Sequence, residues 1–297
     1  MKKMKNNLLL LMTAVIWGFA FTAQRVGGSY VGPFTFNGIR FLLGSVSLIP
    51  VVLIFEPREK ERAVHNPKMK LSVIAAVAAG AALFCATVLQ QCGINITQSA
   101  GKAGFITGLY TVLVPIFGIF MRKKTNVNVW IGVAFAVAGL FLLSVTDGWR
   151  VSAGDAVLML CAVMFTFHIL IVDRFVAAVY PLRFACMQFA VSGMLGIIAA
   201  LLFETATPEG LRGALIPILY GGICSTGIAY TCQIIGQKNA DPTEASIILS
   251  TESLFSAVGG ALIMHEVMTP RGYIGCALMF AGIIISQLRP KKRDVNG

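Results

Sequence analysis

The stretch "LSTESLFSAVGG", residues 249–260, places Glu252 inside an apolar run from Ile247 to Met264 that carries no other charge. A carboxyl group in such a run could exchange a proton or bind part of a substrate. A charged side chain at the centre of a membrane span costs about 2.5 to 3.5 kcal/mol, so this side chain should face protein or water rather than lipid. Two interpretations stay open: a hydrogen bond that locks Glu252 to a neighbouring helix, or a role in binding substrate or protons.

Further polar and aromatic residues recur at helical spacing within apolar segments. Each set occupies one helix face: Thr13, Trp17 and Gln24 in the first segment, Thr107 and Tyr110 in the fourth, and Thr226, Tyr230 and Gln233 in the eighth. Gln90 lies near the end of the third segment. Stripes of this kind suit a cavity that binds small polar molecules. Ordinary helix packing explains each residue equally well when it is taken alone.

Two further ionisable residues lie within apolar segments. Arg40 is about two turns into the second segment, close enough to the interface for its long side chain to snorkel, which favours an anchoring or gating role. An anionic substrate would instead favour direct binding. His168 is a candidate cavity residue, although a lone buried histidine more often has a satisfied hydrogen bond than a part in proton transfer.

The composition indicates which elements must position these residues. Of the 297 residues, 57% are hydrophobic and only 12% are charged, against roughly 25% charged residues in soluble domains. Apolar windows long enough to cross a bilayer recur along the whole chain, about ten in number. The predicted spans are 7–24, 34–55, 71–91, 100–121, 129–146, 154–172, 184–203, 213–235, 243–264 and 272–288. We therefore expect an all-α polytopic membrane protein in which residues 1–297 form a single integral membrane domain.

Basic residues cluster on alternate flanks of these spans. The basic set contains Lys2, Lys3, Lys5, Arg58, Lys60, Arg62, Lys68, Lys70, Arg122, Lys123, Lys124, Arg174, Arg183, Lys238, Arg289, Lys291, Lys292 and Arg293. The opposite flanks hold Arg25, Lys102, Arg150, Arg212 and Arg271. The positive-inside rule then places both termini in the cytoplasm, in a cell membrane that the chain crosses many times. A net charge of +11 that is distributed by loop in this way does not indicate a nucleic-acid partner.

The two halves of the chain resemble each other. An alignment that pairs Gln90 with Gln233 also pairs Met121 with Met264, and it brings Gly132 and Gly139 opposite Gly275 and Gly282. The four glycines predict close helix packing. Since each copy, 7–146 and 154–288, holds five spans, the copies are predicted to be inverted repeats. Inverted repeats are typical of secondary transporters, which rock one copy against the other around a central site.

Several segments together resemble the drug/metabolite transporter superfamily, specifically the EamA-type permeases. They are "AVIWGFAF" in the first span, "PFTFNGIRFLLG" in the second, "GLYTVLVPIFGIF" in the fourth and "LSTESLFSAVGGALIMHE" in the ninth. Ser253 stands where the ninth span of such proteins often has proline. The resemblance implies ten transmembrane helices, a central substrate cavity between two repeats, and transport of small metabolites or drugs.

We thus expect a permease whose partners are a small-molecule substrate and the lipid bilayer, with neither cofactor nor metal. The alternatives are an intramembrane enzyme and a non-transporting membrane receptor. The chain has no H-E-x-x-H or G-x-S-x-G motif. "SAGKAG" at 99–104 lacks the spacing of a phosphate-binding loop. The sequence therefore favours transport over enzymatic activity.

Overall fold

A computed structural model describes residues 2–62, 69–120, 127–144, 152–238, 240, 242–267 and 269–287. These residues form helices joined by short turns, with no β-strand within the described ranges. The helices are α1 Lys2–Gly28, α2 Pro33–Arg62, α3 Met69–Thr97, α4 Ala100–Thr107, α5 Tyr110–Phe120, α6 Val127–Ser144, α7 Ala153–Phe175, α8 Pro181–Phe203, α9 Pro208–Gly213, α10 Leu215–Leu219, α11 Thr231–Gln237, α12 Pro242–Leu249, α13 Glu252–Met264 and α14 Pro270–Gln287. A 3₁₀ turn, Val176–Ala178, follows α7, and a π-helical segment, Tyr220–Tyr230, joins α10 to α11.

Seven stretches of the described chain are helical, long and apolar enough to cross a membrane. They are Met4–Gly28, Pro33–Phe55, Met69–Thr97, Ala153–Ala178, Pro181–Phe203, Leu215–Gln237 and Ala245–Met264. Each coincides with one of the predicted spans. The protein is therefore an all-α polytopic membrane protein.

The three other predicted spans are helical as well, but their crossing of the membrane stays a prediction. The span predicted at 100–121 is divided into α4 and α5, and those predicted at 129–146 and 272–288 coincide with α6 and α14. Residues 121, 145–146 and 288, together with the basic cluster at 122–124, lie outside the described residues.

The principal helix contacts join the first half of the chain to the second half. Helix α2 packs on α8, α3 on α7 and α8, and α6 on α14, while α1 packs on α13 and on the continuous helix 215–237. Glycines allow the closest approaches. A Cβ atom on Gly38 would lie 2.8 Å from the backbone nitrogen of Ile197, and one on Gly282 would lie 2.6 Å from the carbonyl oxygen of Gly132.

All four glycines predicted to pack are buried. The structure brings Gly132 and Gly282 into contact between α6 and α14. The packing roles of Gly139 and Gly275 stay predictions.

The distribution of polarity suits a chain in lipid. Large apolar side chains such as Leu201, Phe203, Ile216 and Leu262 are exposed on the outside of the bundle. Arg40, Gln91, Gln188 and Glu252 are buried inside it. The centre of the bundle is consequently the place where polar chemistry is available.

Candidate functional site: a central polar cavity

Several buried polar side chains surround a small cavity between the two halves of the chain. Its volume is about 20 Å³, room for about one water molecule. The lining residues come from α1, α2, α3, α5, α7, α13 and the helix 215–237: Trp17, Ala20, Phe21, Gln24, Arg40, Gln90, Tyr110, Phe165, Ile169, Ser225, Tyr230, Gln233 and Glu252. Because this free volume is so small, a ligand larger than water needs the lining groups to move apart.

Two interrupted helices meet at the cavity. Helix α4 ends at Thr107 and α5 begins at Tyr110, while α12 ends at Leu249 and α13 begins at Glu252. The hydroxyl of Tyr110 donates a hydrogen bond to Oε1 of Glu252 over 3.1 Å. Each helix thus presents its first residue to the other. This hydrogen bond gives the carboxyl group of Glu252 a partner within an otherwise apolar run.

The interruption before α13 forms without proline. The hydroxyls of Ser250 and Thr251 donate to the carbonyl oxygens of Ile247 and Ile248 over 2.8 and 2.7 Å. Such bonds offer the backbone an alternative to the helix ladder. Ser253, at the position where similar proteins often have proline, donates to the carbonyl oxygen of Gly104 in α4 over 2.8 Å. The serine therefore ties the two interrupted helices together.

The wall formed by α1 is held by carbonyl groups of the π-helical segment. Trp17 Nε1 donates to the carbonyl oxygen of Ser225 over 3.2 Å, and the hydroxyl of Thr13 donates to that of Ala229 over 2.9 Å. The Trp17 and Tyr230 rings lie 4.4 Å apart between centroids. π-Helical backbone is rare and is frequently found at functional sites. Trp17 consequently packs against the opposite half and also lines the cavity.

Arg40 occupies a position that differs from its predicted one. Snorkelling toward the interface is wrong for this residue, since Arg40 is only 2% exposed and lines the cavity. Its Nε donates to Oδ1 of Asn37 over 2.9 Å, and its guanidinium carbon lies 4.8 Å from the centroid of the Phe41 ring. Arg40 lies on the face of α2 that packs on the π-helical segment, where Gly221 is its close neighbour, so its side chain is enclosed by protein. A gating role stays a prediction.

Three glutamines complete the polar lining. Gln24, Gln90 and Gln233 are all buried and all line the cavity. The Oε1 atoms of Gln24 and Gln233 are buried without a hydrogen-bond partner. Unsatisfied buried acceptors are uncommon in folded proteins and mark places where water or a ligand can bind. The amide groups therefore leave the cavity with unused hydrogen-bonding capacity.

Three predicted cavity residues are absent from the lining. Thr107 is the last residue of α4 and approaches Cys161 Sγ at 3.9 Å. Thr226 donates to the carbonyl oxygen of Gly221 over 2.7 Å inside the π-helical segment. His168 Nε2 lies 3.2 Å from Oε1 of Gln188, so its position matches the alternative in which a lone histidine has one hydrogen bond. Each side chain turns away because a partner within the protein holds it.

Sequence reasoning missed part of the lining. Phe165 and Ile169 of α7 form an apolar wall, and apolar residues give no signal that separates a cavity wall from a lipid-facing surface. Gln24, which the sequence placed on the same helix face as Trp17, lies in the lining. Among the described residues, no group of three His, Cys, Asp or Glu side chains could hold a metal ion.

At one end of the bundle, three carboxylates and their basic partners join several helices. We call this region the latch end and define it by Arg25, Lys102, Asp155, Glu204 and Glu266. Helix α13 ends at His265 in the left-handed conformation, φ 54°. The chain turn that follows brings Glu266 to Arg25, with which it forms an ion pair, and to the backbone nitrogen of Ala100 at 3.3 Å. Glu266 thereby joins α1 and α4 to the loop that follows α13.

Two other acidic residues act similarly at the latch end. Glu204, just after α8, accepts hydrogen bonds from the backbone nitrogens of Phe34 and Thr35, each over 2.8 Å. Lys102 Nζ lies 2.8 Å from Oδ1 of Asp155 and so joins α4 to α7. These bonds connect the two halves of the chain at the latch end.

The fold and the cavity define a polytopic α-helical membrane protein with a polar centre. A model of the EamA-like transporter family matches residues 4–145 and, separately, 152–288. Because these matches cover most of the chain, the chain belongs to the EamA-like transporter family. It is a membrane transporter, as its family and the names of its relatives indicate.

The chain is similar to several curated relatives. It is 26% identical to an uncharacterized transporter of Archaeoglobus fulgidus, over 97% of this chain and 87% of the relative. It is 27% identical to the uncharacterized transporter YwfM of Bacillus subtilis, over 98% of this chain and 97% of the relative. A solved crystal structure of another protein superposes with a TM-score of 0.73 at 20% identity, covering 95% of this chain and 96% of that one. At that identity the superposition shows the fold alone.

Proposed function

We propose that this protein is a secondary transporter that moves a small metabolite or drug across the cell membrane by alternating access, without enzymatic activity. The observation that carries the proposal is the small cavity, lined by many polar side chains, at the contact between the two halves of the chain. In alternating access, the binding site opens to one side of the membrane at a time and is never open to both sides at once. A cavity that must open before it can hold a ligand suits this requirement.

We propose further that the halves, 7–146 and 154–288, are inverted repeats of five membrane spans each. The family model matches each half separately, which supports the proposal. The helix packing also supports the proposal. The alignment pairs α3 with the helix 215–237 and α1 with α7, and the contact of α3 with α7 therefore corresponds to the contact of the helix 215–237 with α1. The interruptions also correspond, because the alignment that pairs Gln90 with Gln233 places Tyr110 opposite Ser253, next to the start of α13.

The orientation of the chain follows from the basic flanks. With both termini in the cytoplasm, the latch end faces the outside, and opening outward requires the contacts of Glu204, Glu266 and Asp155 to break. Reporter fusions test this proposal. Fusions at Lys123 and at Glu266 should report opposite sides of the membrane. Reporters on the same side at both positions would contradict the inverted repeat.

Transport itself is tested by reconstituting the purified protein into liposomes. Uptake and counterflow of labelled amino acids, nucleosides, sugars, organic acids and cationic dyes are compared with uptake by protein-free liposomes. We expect saturable movement of at least one class. If correctly folded protein moved no member of any class, the proposal of a transporter for small metabolites or drugs would be overturned.

A further inference from the structure

The guanidinium of Arg40 is a buried cation that forms no ion pair with any described residue. Among the described residues, the only hydrogen bond of Arg40 is the one from Nε to Asn37, a neutral amide. The rings of Phe36 and Phe41 lie 5.6 and 4.8 Å from its guanidinium carbon. A guanidinium carries five N–H donors, so four of them have no partner in the described protein.

The depth of Arg40 makes this lack of partners costly. Arg40 is the eighth residue of α2, which begins at Pro33, and the helical rise places it about 10 Å from the end of the helix. At 2% exposure the side chain has almost no contact with solvent. An uncompensated charge taken out of water destabilises a folded protein strongly. Such a residue is retained more readily where a ligand supplies the missing charge.

The cavity shows where that ligand would bind. Arg40 lines it, and Glu252 is the acidic residue among the other lining residues. Glu252 accepts its hydrogen bond from Tyr110 rather than from Arg40, and no ion pair joins Arg40 and Glu252. The positive charge of Arg40 is therefore available to an incoming group. The planar fork of arginine fits a carboxylate through two parallel hydrogen bonds.

We infer that the cavity binds a small organic monocarboxylate and that Arg40 holds its carboxylate group. The inference rests on the proposed function, since it names the substrate class of the same cavity. One guanidinium matches one negative charge, and no second basic side chain lines the cavity among the described residues. A carboxylate is therefore favoured over a phosphate monoester, which carries close to two charges at neutral pH.

The remaining lining describes the body of the ligand. Trp17, Phe21, Phe165 and Ile169 present apolar and aromatic surface to the cavity. The Oε1 atoms of Gln24 and Gln233 have no partner among the described residues and can accept hydrogen bonds from a ligand. A carboxylate on an apolar body, with or without a hydrogen-bond donor, matches this lining.

The experiment uses matched ligands that share one apolar body and differ in the head group: a carboxylate, its primary amide, the corresponding amine and the phosphate monoester. Several bodies of increasing size are tested. Binding to detergent-solubilised wild-type protein is measured as a concentration-dependent rise in the thermal unfolding temperature. Transport of the same compounds is measured in proteoliposomes. We expect carboxylates to stabilise the protein and to be transported, and the other head groups to do neither.

Arg40→Gln should weaken carboxylate binding by about 10-fold or more, because a charge-assisted pair is lost. Arg40→Lys keeps the positive charge but lacks the planar guanidinium. Its affinity for carboxylates should lie between those of Arg40→Gln and the wild type. Arg212→Gln in α9 removes an exposed arginine outside the cavity and should bind carboxylates as wild type does. The wild-type ligand series tests the inference even if Arg40→Gln does not fold.

The outcomes separate the inference from the proposed function. Binding of amides, amines or phosphates in preference to carboxylates would overturn the inference, and transport of those compounds would leave the proposed function standing. Carboxylate binding that Arg40→Gln leaves intact would also overturn it. Carboxylate binding that depends on Arg40, together with a failure to transport any compound, would support the inference and contradict the proposed function.

Discussion

Charged residues at the latch end and in the central cavity differ in their partners. At the latch end, Glu204 accepts hydrogen bonds from the start of α2, and Asp155 pairs with Lys102. In the cavity, Glu252 has one hydrogen bond from Tyr110 and Arg40 has one to Asn37. Satisfied charges hold structure in place, whereas poorly satisfied buried charges are expensive to keep. The difference assigns a holding role to the latch end and a binding role to the cavity.

Contacts in both regions affect how the two halves of the chain can move. Both regions join the two halves of the chain, because Glu204 binds Phe34 and Glu252 binds Tyr110. A ligand that pairs with the charged groups of the cavity changes the relative stability of the conformations in which those groups are together or apart. The latch contacts oppose opening at one end. A ligand can shift such an equilibrium only by its differential affinity for the two states, and the cavity is where that difference can arise.

The largest expected effect comes from Glu252→Gln. The change keeps the shape of the side chain and removes its ability to ionise. We expect folding to be retained and transport to fall about 10-fold or more, or to lose its pH dependence between about pH 5 and 8, if Glu252 binds substrate or protons. Initial rates in proteoliposomes and thermal unfolding measure the two properties separately.

Tyr110→Phe is the matched control for Glu252→Gln, since it removes the hydrogen bond from Tyr110 to Glu252 and leaves the carboxyl group in place. Its transport should lie closer to wild type than that of Glu252→Gln. If Glu252→Gln kept wild-type rates and the wild-type pH profile, Glu252 would have a structural role only. The binding role that the comparison assigns to the cavity would then be wrong for Glu252.

At the latch end the expected effect is on stability. Glu204→Gln weakens the interaction with the start of α2, where the carboxylate also accepts a hydrogen bond from the Thr35 hydroxyl over 2.7 Å. We expect a loss of about 1 to 3 kcal/mol in the free energy of unfolding, because hydrogen bonds to a charged group are removed from a helix N-terminus. Chemical unfolding in detergent measures this change in the free energy of unfolding.

Glu209→Gln is the control for Glu204→Gln. Glu209 lies in the same connection between α8 and α10 and is exposed. Its replacement should change the free energy of unfolding by no more than about 0.5 kcal/mol. Equal effects of the two changes would show that the latch contact of Glu204 contributes nothing specific to stability.

The sequence predicted the helices well because long apolar windows have few alternatives in lipid. It also predicted Trp17, Tyr230 and Gln233 in the lining, since helical spacing places polar groups on one face. It identified Glu252 from a lone charge in an apolar run. Each of these signals is local in the chain.

Properties that depend on distant residues could not be predicted in this way. The snorkelling expected of Arg40 was wrong, because which neighbour its face of α2 meets depends on tertiary packing. The contact of Glu204 with Thr35 joins residues far apart in the chain. The interruption at Ser250 and Thr251 uses hydroxyls rather than proline, so it lacked its usual sequence signal.

The smallest expected effect concerns the pair Lys102 and Asp155. The lysine side chain is 27% exposed and the aspartate side chain 8%. We expect Lys102→Gln to lower the free energy of unfolding by no more than about 1 kcal/mol, since partly exposed ion pairs are screened and ordering the lysine has an entropic cost. Asp155→Asn should cost more, because Asp155 also accepts a hydrogen bond from the backbone nitrogen of Ser152 at the start of α7.

A double-mutant cycle with Lys102→Gln and Asp155→Asn isolates the energy of the ion pair from that of the helix cap. The coupling energy should shrink as salt is raised, whereas the part of the Asp155→Asn effect that belongs to the cap should not. A coupling energy near zero at low salt would show that this pair does not hold α4 to α7. The closing of the latch end would then depend on Glu204 and Glu266, whose carboxylates bind backbone nitrogens at the starts of α2 and α4.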